Sequence, residues 1–343
     1  MCLISIKDND RYLRIVLPPI QMEETETIKK AQKKWKELVL ENEILRMTLL
    51  PELGGKMVRL VSKQTGTEFL KQYVDSEGEL KPPKPGFDFK PPYAFGFDEC
   101  FPTVAPSNYL FNEGVIHWPD HGELWAQEWD HEQEGQRIVL KATGVNMLYE
   151  FEKEVRLNGN TIEISYKVYN QSYRPLDYVW SSHPLLEIDE QDELLVDKKI
   201  DTVSIHGTDD SGQVLKTTTK WPYVMGDETD YSIVQPASAN WAMKLFAEQV
   251  EKGKAGLYRK TSNESLIFNF DTKKTPHLGL WLCYGGWPED AEIGSYTVAI
   301  ELATASFDKL SDAIRHDEQK VIGPDENHEW KMSMEIISGK AEI

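Results

Sequence analysis

Cysteine is scarce in this chain, with Cys2, Cys100 and Cys283 the only thiols in 343 residues. They are far apart and odd in number, which argues against a disulfide framework or a zinc-finger spacing and fits reduced thiols. A free cysteine usually serves as a small buried hydrophobe, with a nucleophilic Cys100 as the alternative. Long apolar runs are missing too. None approaches the roughly 18 to 20 residues that a spanning helix needs, so no membrane span is expected. The opening residues meet charge at Lys7 and Asp8, too early for a secretory leader, and a cytoplasmic location is the expectation. Positive charge is in deficit: 38 Lys and Arg against 57 Asp and Glu leave a net charge of -19. Nucleic acid and anionic membrane surfaces are therefore not expected partners, because phosphate binding runs on clustered Lys and Arg. No Gly-x-Ser-x-Gly elbow, phosphate loop or dinucleotide fingerprint occurs, so neither a serine hydrolase nor a nucleotide cofactor has support.

What the chain does have is aromatic: 10 Trp, 14 Tyr and 12 Phe, enough to line a site for a sugar or another ring-bearing ligand. Residues 12 to 17 alternate weakly, and a charged piece over 23 to 36 carries no chemistry. Strands are expected over 38–40, 44–50 and 56–61, with Pro51-Glu52-Leu53-Gly54-Gly55 as the turn. Prolines at 82, 83, 85, 91 and 92 exclude a central strand and imply a long ordered loop or lid over 73 to 95. Ile162, Ile164, Tyr166 and Val168 alternate with polar residues, as do Trp330, Met332, Met334 and Ile336, marking half-buried strands. Further strands are expected at 242–246, 266–270, 278–282 and 296–302, and residues 187 to 240 read as loops with short strands. The spacing predicts a helix over 306–315 with Ser306 as N-cap. With no repeat or linker, a single β-rich domain over residues 1 to 343 is the economical reading.

Chemistry concentrates in two stretches. Asp98-Glu99 leads to His117, Asp120, His121 and Glu123 among prolines and glycines, where functional groups usually lie. Trp180-Ser181-Ser182-His183-Pro184 is the second. Glu301 ends a mostly apolar strand, which makes a lone carboxylate conspicuous. Histidine exchanges protons near neutral pH and a partly buried carboxylate can act as a base, so His121, His183 and Glu301 suit acid and base catalysis if they converge. The competing reading for each is a structural role. His117, His121 and Glu123 could instead ligate a metal, although Pro119 between the histidines argues against a helical ligand pair. Trp118, Trp125, Trp180, Trp281 and Trp287 flank these stretches, and two of them are expected at a ligand.

Several of these motifs, in order, resemble a family. The stretch from Leu40-Glu41-Asn42-Glu43 through Leu50-Pro51-Glu52-Leu53-Gly54-Gly55-Lys56 to Thr65-Gly66-Thr67-Glu68-Phe69-Leu70 is similar to the opening of galactose mutarotase-like proteins, the aldose 1-epimerases and their relatives. Asp120-His121-Gly122, His183-Pro184, Ala299-Ile300-Glu301 and Gly323-Pro324 resemble later segments in the right order, over about residues 38 to 336. The resemblance implies a large antiparallel β-sandwich with the sugar in an open cleft on one sheet. It implies Glu301 as the base at the C1 hydroxyl, His183 as the acid at the ring oxygen, His121 as a substrate contact, and no metal or organic cofactor. Asp98, Glu99, Glu123, Trp180 and Trp281 are the further candidates for substrate binding. The Asn-Arg pair that typical members place before the first histidine is missing, with Asp98-Glu99 in that region, and Asp271 is the candidate by position for the sugar-binding aspartate. An acidic cleft would repel a phosphate, so the expected substrate is a neutral aldose. The alternatives are a hydrolase or lyase on the same fold, using Glu301 with Asp98 or Glu99, and a sugar-binding protein without turnover.

Overall fold

A computed structural model describes residues 3–8, 11–16, 35–72, 81–111, 114–208, 214–224, 226, 228–247, 250–289, 291 and 294–343. The chain divides into two units, residues 1–34 and 35–343. In the first, Leu3–Asp8 and Arg11–Val16 pair as an antiparallel hairpin with Leu3 opposite Val16. Most of the charged piece expected over 23 to 36 falls outside the described residues, as do Cys2 and residues 73–80.

The second unit is built from two large antiparallel sheets, the all-β sandwich that the alternating patterns predict. The ten-stranded sheet runs Val214–Lys220, Thr202–Thr208, Trp241–Ala247, His277–Tyr284, Tyr296–Ala303, Ser181–Leu186, Phe97–Cys100, Lys56–Ser62, Leu45–Leu50 and Leu38–Glu41. The eight-stranded sheet runs Glu193–Val196, Lys254–Arg259, Glu264–Phe270, Asn327–Ser338, Thr161–Asn170, Tyr149–Asn158, Arg137–Thr143 and Asp130–Glu134. Side chains on a strand point alternately to its two faces. Leu280, Leu282, Val298, Ile300 and Leu302 from the first sheet therefore meet Ile162, Ile164, Tyr166, Trp330, Met332 and Met334 from the second in one buried core. Fully burying each such side chain contributes about 1.5 to 3 kcal/mol.

The same alternation leaves a second set of side chains on the other face of the ten-stranded sheet. His183 stands opposite Asp98, and Glu301 opposite Gly279. Thus neighbours in sequence are separated: Asp98 lies on the outer face with His183, whereas Glu99 points into the sandwich and reaches Lys153 of the eight-stranded sheet.

Two expectations need correction. The helix is shorter than predicted, Leu310–Arg315, because Ser306 does not cap it: its backbone N–H and its hydroxyl both donate to Glu318. Within the stretch expected as loops with short strands, Thr202–Thr208 and Val214–Lys220 are longer, seven-residue strands that form the edge of the ten-stranded sheet. No helix among the described residues is long and apolar enough to cross a membrane.

Candidate functional site

On the outer face of the ten-stranded sheet, a cleft of about 200 Å³ is lined by Phe89, Asp120, His121, His183, Leu185, Lys244, Trp281, Trp287, Glu301 and Asp308, among others. Its floor is made by strands. Tyr296–Ala303 supplies Glu301, Ser181–Leu186 supplies His183, His277–Tyr284 supplies Trp281, and Trp241–Ala247 supplies Lys244.

Glu301 is 1% exposed. Its Oε2 accepts from the Lys244 ammonium and, at 3.3 Å, from the Ser181 hydroxyl. Its Oε1 has no hydrogen-bond partner and lies 3.9 Å from His183 Nε2. Burial pushes the Glu301 carboxyl above its usual range, against the opposing pull of Lys244. Lys244 also lies 3.4 Å from Asp308 Oδ1. Burial works against its charge, but Asp308 and Glu301 together hold it above the ordinary lysine value. His183 is driven well below its usual value by burial first and then by His121, Lys244 and Lys56, so its imidazole is neutral at neutral pH.

His121 arrives on a loop. It takes a left-handed conformation at φ 59°, and Gly122 follows at 72°. Gly122 is demanded by contact as well as by torsion, since a Cβ there would lie 1.9 Å from the Phe101 carbonyl oxygen. The loop is tied down by His121 N–H to Val104 O at 2.6 Å and Glu123 N–H to Phe101 O at 2.9 Å. His121 Nδ1 is 2.9 Å from Asp120 Oδ1, while Asp120 Oδ2 accepts the Phe89 N–H at 2.8 Å. Burial alone would raise the Asp120 carboxyl, but these bonds outweigh it and hold it below its usual range. Phe89 stacks on His121 with ring centres 4.1 Å apart and meets His183 edge-on at 5.2 Å. His121 and His183 are 4.8 Å apart by ring centres. Trp281 and Trp287 form an edge-to-face pair at 6.2 Å along the cleft wall.

The structure thus brings His121, His183, Glu301 and Trp281 together and places the other candidates elsewhere. Asp98 shares the outer face but is sealed beneath it, bound by Lys56, which also donates to the carbonyls of Tyr93 and Phe95. Glu99 is consumed between the sheets by Lys153 and the Tyr166 hydroxyl. Glu123 is buried and accepts from Tyr149, Val145 and Asn146, bracing the loop after His121. Trp180 packs in the core against Tyr166 and Trp330, because it precedes the strand by one residue on its inner side. Asp271 is exposed in a turn beyond Glu264–Phe270 of the other sheet, where it accepts the Lys273 N–H. His117 bonds Asn108 on a separate hairpin, so it does not join His121 and Glu123, and no group of three or more His, Cys, Asp or Glu among the described residues could hold a metal ion. Cys100 is buried, with its thiol pushed well above the usual value, which opposes a nucleophilic role.

Sequence reasoning did not single out Phe89, Lys244 or Asp308. Phe89 was hidden in the proline-rich loop. Lys244 carried a signal, being the charged residue inside the otherwise apolar Trp241–Ala247.

Comparison of the sequence with curated proteins gives no match. A family model described as a domain of unknown function (DUF5107) matches residues 13–75. Solved structures match over most of the chain. A galactose mutarotase related enzyme from Lactobacillus acidophilus is 16% identical, with a TM-score of 0.67, covering 90% of this chain and 99% of that one. A galactose mutarotase-like protein from Clostridium acetobutylicum is 14% identical, with a TM-score of 0.66, covering 89% and 96%. A TPR-domain containing protein from Parabacteroides distasonis is 16% identical, with a TM-score of 0.63, covering 91% of this chain and 48% of that one. At such identities the likeness is one of architecture, and this chain has the galactose mutarotase-like fold.

Proposed function

We propose that this chain is an aldose 1-epimerase, interconverting the α and β anomers of a neutral aldose by acid and base catalysis in the cleft at Glu301. The observation that carries this reading is the unpartnered Glu301 Oε1 facing His183 Nε2 at 3.9 Å, with His121 beside it. Glu301 takes the proton of the C1 hydroxyl. The bond between C1 and the ring oxygen then breaks as that oxygen receives a proton from His183. Rotation of the open aldehyde, closure on its other face and return of both protons complete the exchange. His183 is neutral in the empty cleft, so acting as the acid requires it to take up a proton from solvent as substrate binds. His121, fixed by Asp120, holds a sugar hydroxyl, and the Trp281 and Trp287 faces pack against sugar C–H groups.

The charge of the cleft favours a neutral sugar. Glu301 and Asp308 both contact Lys244, the one Lys or Arg among the described lining residues, and Asp120 adds a third carboxylate to the lining. A phosphorylated hexose would meet net repulsion. The second carboxylates of the hydrolase or lyase alternative do not line this cleft: Glu99 points into the sandwich on Lys153, and Asp98 is buried against Lys56. Anomer exchange followed by NMR across neutral aldoses tests the proposal. The protein should accelerate exchange, and Glu301→Gln should lower the rate by about 10² to 10⁴. Saturable sugar binding without acceleration would identify a binding protein instead.

A further inference from the structure

A carboxylate removed from water tends to revert to its acid form unless a cation compensates it. Several elements pack against Glu301. Ser181–Leu186 contributes the Ser181 hydroxyl at 3.3 Å and His183 at 3.9 Å. His121, Cys100 and Asp308 are the other titratable groups that act on it or feel its charge. Histidines apart, Lys244 is the cation in this set, and it contacts Oε2 directly.

Lys244 does not come from a neighbouring strand. His277–Tyr284 lies between its strand and that of Glu301. Lys244 is opposite Trp281 and Glu301 is opposite Gly279, so the lysine crosses an intervening strand on a diagonal. Adjacent strands are about 4.8 Å apart, and the contact therefore spans roughly 10 Å of sheet. The path is open because position 279 has no side chain: a Cβ there would lie 3.1 Å from Lys244 Cε and 3.3 Å from Glu301 Cβ. Asp308 Oδ1 lies 3.4 Å from the same ammonium.

We propose that Lys244, laid across Gly279, is the positioning residue that neutralises Glu301 while leaving its second oxygen without a partner, as an acceptor for the substrate. This rests on Glu301 as the base, but it can be tested without turnover. Carboxyl ¹³C NMR of the folded protein, assigned by the signal lost in Glu301→Gln, reads the titration of Glu301 itself. In Lys244→Met its midpoint should rise by about 1 to 3 pH units. Gly279→Val retains the lysine but obstructs its path, and should move the midpoint in the same direction. Lys244→Arg should stay nearer the native value. The sign is fixed: loss of the cation disfavours the charged form, so any acid limb in an activity profile moves to higher pH. An unchanged midpoint in folded Lys244→Met or, should that variant not fold, in folded Gly279→Val would overturn the proposal. Failure of the epimerase reading would appear separately, as absent anomer exchange with the titration shift still present.

Discussion

Glu99 and Glu301 are each about 1% exposed and each contacts a lysine with a largely buried side chain, yet their surroundings differ. Both oxygens of Glu99 are bonded, Oε1 to Lys153 and the Tyr166 hydroxyl and Oε2 to Lys153, and the pair ties one sheet to the other. Glu301 spends Oε2 on Lys244 and Ser181 and leaves Oε1 buried and unpartnered beside His183. Burial and a lysine partner are common to both, so neither marks a site. What separates a strut from a candidate base is an acceptor left without a partner on a residue that lines a cleft.

The strongest challenge to this contrast concerns stability. Lys153→Met strands Glu99 between the sheets and should destabilise the protein by about 3 to 5 kcal/mol in urea unfolding. Adding Glu99→Gln should recover part of the loss, because the uncompensated charge is then gone. A smaller effect is expected from His183. Its folded value lies well below the roughly 6.5 of the unfolded chain, so below that pH the unfolded state binds a proton that the folded state refuses. Stability should therefore fall as pH drops below about 6.5, by up to about 1.4 kcal/mol per unit from this residue. His183→Gln should show a shallower fall than the native protein when urea midpoints at pH 7.5 and 5.5 are compared. The smallest expected effect is at the cleft wall. Trp281→Ala should raise the sugar KM by about 2- to 12-fold, corresponding to about 0.5 to 1.5 kcal/mol of aromatic contact, with little change in stability.

Two strands with one wet face were legible from their alternation alone. Trp330, Met332, Met334 and Ile336 are buried as their alternation predicts, and so are Ile162, Ile164, Tyr166 and Val168. His121, His183 and Glu301 were legible because a histidine beside turn residues or a carboxylate in an apolar strand conflicts with local packing. The roles of Asp98 and Glu99 were not, because the face each takes depends on pairing with distant strands rather than on their own neighbours. Gly279 and Lys244 illustrate the same limit. Their relation exists only in the register of three strands, and thirty-five positions of chain separate them.

Anomer exchange measured side by side for the native protein, Glu99→Gln and Glu301→Gln tests the central contrast most directly. The native protein should accelerate exchange of a neutral aldose. Glu99→Gln, despite losing stability, should retain that rate in its folded fraction, and Glu301→Gln should lose about 10² to 10⁴ of it. Retention of the native rate by folded Glu301→Gln, or no acceleration of any aldose by the native protein, would contradict the account.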